Sequence, residues 1–327
     1  MDKISAPSPD YLGDSWVART IFLTQFDAGT PKGREDVAVL VSENDADAFV
    51  AEHGLAALWL PGFIDSFFHV DYAAAWRDAG VALYGLDLRR GGRALRVKNR
   101  RDDQRDLLLR EEEILVAVEH LRSVGAKKIV LIGHSTGGLQ AVLFADRHPG
   151  AVDAIILNSP WLEHNGPDFH KKQLTTLMMH LGKLLPTLPI SKLGVDYGRE
   201  LHVDYGGEFF FNTEHKPIAP EPVFAGFFRA ARIGHRMVGE GLDIREPVLV
   251  AHSDASGDVH NPSAEELAST DVVLNVEDMK RLGPTLGRDV TLLEVSGGRH
   301  DLALSQRPAR EFFMRESIAW ALDALGK

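Results

Sequence analysis

The sequence predicts an α/β fold built on an open, mostly parallel sheet. An antiparallel β-like pair opens the chain, and short, almost continuous apolar runs then alternate with segments of helical periodicity. In addition, one of those runs passes through Gly133-His134-Ser135-Thr136-Gly137 directly into a helical pattern, a strand–turn–helix unit typical of such sheets.

The opening pair is "WVARTIFLTQ" (16–25) and "DVAVLVSE" (36–43), separated by the turn-rich "DAGTPKGRE", and it reads as a hairpin. Next come "AALWLPG" (56–62), "GVALYGLDL" (80–88), "KKIVLIG" (127–133), "AVDAIILNSP" (151–160), "EPVLVAHS" (246–253) and "DVTLLEVSG" (289–297), which suit strands buried on both faces. Helical spacing marks 106–125, 136–150, 276–287 and 308–325. From Trp161 to about Gly241 the alternation stops, and no clear strand is expected. So long an interval exceeds an ordinary loop and reads as an inserted, mainly helical subdomain. The chain therefore divides into a first core part (1–160), the insertion (161–241) and a second core part (242–327). Within the insertion, Leu174, Leu177, Met178, Leu181 and Leu185 share one helical face.

The 327 residues carry a net charge of -11, with 44% hydrophobic and 25% charged residues, ordinary for a globular protein. The local basic stretch "RRGGRALRVKNRR" (89–101) reads as a solvated loop, so no nucleic-acid partner is expected. Cysteine is absent, which excludes disulfides and a thiolate nucleophile and fits a reducing compartment. No apolar run is long enough to span a membrane, and the first residues lack the pattern of a signal peptide. The expected location is cytoplasmic.

Gly133-His134-Ser135-Thr136-Gly137 is the nucleophile elbow, G-x-S-x-G. Its glycines permit a sharp turn that presents the Ser135 hydroxyl at the strand's end, and the helix N-terminus beyond favours developing negative charge. A serine hydroxyl needs a base to take its proton. His300, after the last apolar run in "SGGRHD", is in the expected place and chain order. An oxyanion hole requires two N–H donors. Thr136, immediately after the nucleophile, supplies one, and Phe63 in the "WLPGFIDSFFH" turn supplies the other. His134 is assigned to packing.

On "PGF" (61–63), "YGLDLRRGGRA" (84–94), "GHSTGG" (133–138), "TDVVLNVEDMKRLG" (270–283) and "GGRHD" (297–301), the chain resembles the α/β-hydrolase superfamily. The nearest branch is that of monoacylglycerol lipases, lysophospholipases and serine aminopeptidase-like proteins. The resemblance implies an eight-stranded, mostly parallel sheet with 161–241 as a cap over the active site. Two departures bear on substrate class. Pro61 replaces the family's usual His before the oxyanion donor, and the family's D-x-x-G-H-G-x-S loop survives only as Asp87 to Ala94.

Distance from the strand at 246–253 alone makes Asp254 or Asp258 the obvious third member of the triad. The resemblance points instead to Asp271, because "DVVLNV" followed by "EDMKRLG" matches the family's acid segment. On that reading "ASGDVHNPSAEELAST" is mostly an inserted loop. His252, Asp254, Asp258 and His260 lack recognised metal-ligand spacing, and neither metal nor cofactor is expected.

The resulting expectation is a serine hydrolase that cleaves a small-molecule carboxylic ester through an acyl-enzyme on Ser135, assisted by His300 and Asp271. The resemblance implies a monoacylglycerol or lysophospholipid type of substrate, and the apolar helix face of Leu174, Leu177, Met178 and Leu181 either lines an acyl pocket or packs the cap on the core. Three alternatives stand beside it: an aminopeptidase that binds the substrate amine through Asp196, Glu200, Asp204 and Glu208, a non-hydrolytic relative, and a ligand-binding receptor.

Overall fold

The alternation of apolar runs becomes one nine-stranded sheet, with strands in the order β1-β2-β3-β5-β4-β6-β7-β10-β11. In this computed structural model the described residues are 3–27, 35–97, 99–164, 176, 178–192 and 194–327. The antiparallel start is β1 (Ser8–Asp10), β2 (Gly13–Phe22) and β3 (Val37–Glu43). β4 (Leu55–Leu60), β5 (Ala82–Asp87), β6 (Lys128–His134), β7 (Ala154–Asn158), β10 (Val248–Ser253) and β11 (Val290–Val295) run parallel to one another. β1 is the strand beyond the expected eight. Three residues with a central proline carry no strand signal, and proline is tolerated there because β1 lies at the sheet edge.

Period-two alternation decides which core each side chain joins. In β4, Ala56, Leu58 and Leu60 enter one apolar cluster, while Leu55, Ala57 and Trp59 enter the other. The first face is covered by α3 (Glu111–Ser123) and α4 (Thr136–Arg147) through Ile114, Leu121, Leu139 and Val142. The second is covered by α2 (Val70–Asp78) and α10 (Arg307–Ala324) through Trp76 and Phe313. β11 departs from its expected burial. As the other edge strand it leaves Leu292 42% exposed.

Two helices arise where none was expected among the core parts: α1 (Ala46–His53) and α2. A third, α8 (Ala264–Ser269), interrupts the stretch read as a loop. Its signal was legible, since Ser263 and Glu266 form a reciprocal capping box. The segment 161–241 also differs from expectation, because it contains a two-stranded antiparallel sheet of β8 (Pro189–Lys192) and β9 (Pro222–Phe224). Among its described residues the helices are α5 (178–184), α6 (Asp196–Leu201) and α7 (Ala225–Glu240), and α7 places Phe227, Ala230 and Val238 in the same core as α4.

The basic stretch is not a solvated loop at its start. Arg89 is fully buried against Glu113 (2.6 Å), Arg90 pairs with Asp36 (3.1 Å), and Arg93 bridges Asp10 (2.7 Å) and Asp87 (2.8 Å). Apart from Asp87, six residues before Arg93, the partners are 24 to 83 positions away, so local charge counting could not find them. Among the described residues no helix is long and apolar enough to cross a membrane.

Candidate active site

The elbow is built by close backbone passages that only glycine allows. β6 ends at His134, Ser135 adopts φ 52° and ψ -115°, and α4 starts at Thr136. A Cβ at Gly133 would lie 2.5 Å from the Gly137 carbonyl oxygen, and one at Gly137 would lie 2.3 Å from that of Leu60. The second passage brings the turn after β4 against Ser135, since a Cβ on Gly62 would sit 3.3 Å from Ser135 Cβ. Positive φ at a serine costs roughly 1–3 kcal/mol and persists only where neighbours over-determine it. Here Ser135 N–H donates to the Asn158 carbonyl (3.0 Å), and the Ser135 carbonyl accepts from Gly138 N–H (2.9 Å) and Trp161 N–H (3.0 Å).

Thr136 is buried at the first position of α4, where backbone N–H groups have no intrahelical acceptor. Phe63 is half-buried in the facing turn, its ring stacked on Phe227 at 4.2 Å between centroids. The turn is pinned just beyond it: Ile64, at φ 54°, donates its N–H to Asp102 Oδ2 (2.8 Å).

His300 Nδ1–H donates to Asp271 Oδ2 at 3.0 Å, and both side chains are buried. Asp271 Oδ1 meanwhile accepts from Val273 N–H (2.9 Å) and Leu274 N–H (2.8 Å), which fixes the carboxylate's orientation. The other two candidate acids lie elsewhere. Asp254 accepts from Ser296 Oγ (2.8 Å) and Gly297 N–H (3.1 Å), and exposed Asp258 accepts from the N–H groups of His260 and Asn261.

Beneath these groups lies a buried polar network that the sequence reading did not identify. Asp301 accepts from His69 Nε2–H and from Asn158 Nδ2–H, each at 2.8 Å, and its N–H donates to the Tyr197 hydroxyl (2.8 Å). Burial alone would raise the Asp301 pKa, but His134 and His69 outweigh it and hold the carboxyl well below the usual range. His134, assigned to packing, does pack, with its ring 4.8 Å from that of His300, and its Nδ1–H donates to the Asn158 carbonyl (3.1 Å). Burial, opposed by Asp301, lowers the His134 pKa to about 4, so its ring is neutral near pH 7. The available signals were the position of Asp301 next to His300 and that of Asn158 at the carboxyl end of a central strand.

Asp65, His134 and Asp301 each bring one potential metal-ligand atom within 4.8 Å of the others. Positive or hydrogen-bonding partners already occupy the set, because Lys216 Nζ lies 2.7 Å from Asp65 and His69 is bonded to Asp301. The sequence-level alternative, His252, Asp254, Asp258 and His260, does not converge: His252 is buried and bonded to the Ser253 carbonyl.

Of the expected acyl-pocket residues, Leu174 and Leu177 lie outside the described residues. Met178 and Leu181 are half-buried on α5, which packs through Gly182 against Ala225 and Arg229 of α7. Cavities of about 210 and 410 Å³ flank α7, and neither is lined by Ser135 or His300. Phe227 of α7 is buried between the ring of Phe63 (4.2 Å) and that of Trp161 (6.3 Å), the residue whose N–H donates to the Ser135 carbonyl. Two of the four acidic residues considered for amine binding are paired with arginine, Glu200 with Arg299 (2.9 Å) and Glu208 with Arg310 (3.1 Å).

A mostly parallel sheet flanked by helices, with a serine on a strained turn between strand and helix, defines an α/β-hydrolase. Residues 58–306 match the family described as serine aminopeptidase, S33, and the chain belongs to that family. Over 180 residues it is 29% identical to a monoacylglycerol lipase of Mycolicibacterium smegmatis, covering 54% of this chain and 60% of that one. Over 129 residues it is 30% identical to the human (lyso)-N-acylphosphatidylethanolamine lipase, covering 38% of this chain and 33% of the relative. The chain thus spans less than two thirds of the curated relatives it matches. In fold it is similar to the monoacylglycerol lipase of Paleococcus ferrophilus, with a TM-score of 0.60 at 19% identity, covering 82% of this chain and 94% of that one. It is also similar to a soluble variant of the Saccharomyces cerevisiae monoglyceride lipase, with a TM-score of 0.60 at 14% identity, covering 98% and 94%.

Proposed function

We propose that the protein is a serine hydrolase that cleaves the carboxylic ester of a single-chain acyl lipid, of the monoacylglycerol or lysophospholipid type. The observation that carries the reading is the buried His300–Asp271 hydrogen bond (3.0 Å), in a fold whose elbow strains Ser135 to φ 52°. In the first step His300 Nε2 takes the Ser135 proton as Oγ attacks the ester carbonyl. Asp271 orients the ring and stabilises the imidazolium. The Phe63 and Thr136 N–H groups receive the oxyanion. Collapse breaks the ester C–O bond, and the leaving alcohol takes the proton from His300. Water then repeats the sequence on the acyl-enzyme, releasing the acid and restoring Ser135.

Two features support the lipid assignment: the relatives above are a monoacylglycerol lipase and a (lyso)-N-acylphosphatidylethanolamine lipase, and the turn that carries Phe63 packs its ring on the aromatic pair Phe227 and Trp161. The Glu200–Arg299 and Glu208–Arg310 pairs speak against an amine-binding acidic cluster, so the aminopeptidase reading is not favoured. In this proposal 161–241 acts as the cap. No cofactor is invoked, and the cytoplasm is the proposed compartment, consistent with the absence of cysteine.

A fluorophosphonate probe should label the wild type and not Ser135→Ala. A wild type that resists labelling overturns the proposal. p-Nitrophenyl esters of increasing chain length should be turned over and aminoacyl anilides should not. The reverse preference would replace the esterase with a peptidase.

A further inference from the structure

We propose that Lys216 is a positioning residue: a cation delivered by the 161–241 segment that holds Asp65, and through it the Phe63 turn, in working shape. The inference rests on the assignment of Phe63 N–H to the oxyanion hole.

The turn after β4 is fixed at both ends by core carboxylates. Ile64 N–H donates to Asp102 Oδ2 and Phe67 N–H to Asp87 Oδ1, each at 2.8 Å. Between those anchors stands Asp65, two residues from Phe63 and buried. Its Oδ1 accepts from the adjacent Ser66 N–H (2.8 Å) and from Lys216 Nζ (2.7 Å). Among the described residues, Lys216 forms the ion pair with Asp65. His134 and the Asp301 carboxylate place ligand atoms within 4.8 Å of it and of each other, so two buried carboxylates share this space. Like charges that close repel strongly in a low-dielectric interior, and a buried carboxylate without a cation is costly. A neutral donor would satisfy the hydrogen bond but leave the repulsion, which explains why a lysine is found here.

Lys216 is itself held in place. Its side chain is only 14% exposed and lies over the rings of Phe68 (5.5 Å) and Phe211 (5.8 Å). Arg101 grips the backbone just before it, donating to the carbonyls of Glu214 (2.8 Å) and His215 (3.1 Å). Phe68, Leu201, Phe211 and Leu304 form a separate apolar cluster that joins this part of the segment to the Phe63 turn and the His300 loop. The segment therefore reaches under the site as well as lying beside it. When it seats, a cation arrives at Asp65; when it does not, the turn carrying Phe63 has an unpaired buried charge at its centre.

The test compares Lys216→Met, Lys216→Arg and the double variant Asp65→Asn/Lys216→Met for kcat, KM and melting temperature on the best p-nitrophenyl ester. Lys216→Met should lower kcat about 100-fold with KM within about two-fold, the size of effect a misplaced catalytic donor produces. Lys216→Arg should recover most of that loss. The double variant removes the unpaired charge, so it should regain melting temperature while kcat stays low. Wild-type kcat in Lys216→Met overturns the proposal, as does recovery of kcat together with stability in the double variant. If Lys216→Met does not fold, the double variant and Lys216→Arg decide by the same criteria. Failure of fluorophosphonate to label the wild type would instead overturn the hydrolase reading on which this one rests.

Discussion

Asn158 holds Asp301: its Nδ2–H donates to Asp301 Oδ1 at 2.8 Å, while its own backbone carbonyl accepts the Ser135 N–H at 3.0 Å. Its Oδ1 also accepts from Leu302 N–H (3.0 Å). One residue at the end of β7 thus ties the Ser135 backbone to the loop that carries His300. Asn158→Ala should lower kcat by about 10- to 100-fold through misalignment of Ser135 and His300. It should also destabilise the fold by about 1–3 kcal/mol by leaving buried groups unpaired. Steady-state kinetics and a denaturant titration check both, and wild-type kcat would refute the clamp.

Asp271 and Asp254 should separate cleanly. Asp271→Asn should cost about 10⁴ in kcat, the scale seen when a triad acid is neutralised. Asp254→Asn should change kcat only a few-fold, because its carboxylate serves Ser296 and Gly297. Equal, mild losses in both would remove Asp271 from the mechanism.

Acid should destabilise the protein through His134. Its pKa falls from 6.5 to about 4 on folding, chiefly through burial, so between those values the unfolded chain binds more protons than the native one. Stability is complete above pH 6.5 and is lost as pH falls toward 4, by about 3 kcal/mol for this one group. Asp301, held below its ordinary range, adds a loss of the same sign at lower pH. His134→Asn should flatten the upper part of the curve when melting temperature is followed from pH 7 to pH 4. An unchanged slope would count against this assignment.

Gly137→Ala should be poorly tolerated although alanine favours helices. Its Cβ would meet the Leu60 oxygen at 2.3 Å and the Pro61 oxygen at 2.5 Å, forcing the Phe63 turn away from the elbow. The expected cost is about 1–3 kcal/mol of stability, measured by chemical denaturation, with a larger fractional loss of kcat than of folded protein. Gly150→Ala, where a Cβ meets nothing within 4 Å, provides the comparison for backbone strain alone.

What could be read from the sequence follows the range of the interactions involved. The parallel strands were legible because burial on both faces leaves continuous apolar runs, as in "LAALWL" of β4. The elbow at Ser135 and the place of His300 after the last strand were legible because both are local or sequential signals, and their catalytic roles belong to the proposal. That Asp271 would bond His300 needed the family-like "DVVLNV" text, since distance from β10 favoured Asp254 or Asp258 instead. His69 and Lys216 were not legible, and Asn158 was marked only by its place at the carboxyl end of a central strand. Each matters through a partner far along the chain, and no local pattern announces such a pair. Arg89 and Arg90 misled for the same reason: a charge run looks solvated until the carboxylates opposite it are known.

The bond between His69 and Asp301 spans 232 positions of the chain. Closing so long a loop is entropically slow, whereas α3, α4 and the β2–β3 hairpin need only nearby residues. Refolding should therefore proceed in two visible stages. Far-UV signal from the helices and the early strands should return first, and esterase turnover should lag until the two ends of the chain meet beneath the elbow. A hydrolase whose nucleophile becomes competent only in that final stage is inert while still partly folded.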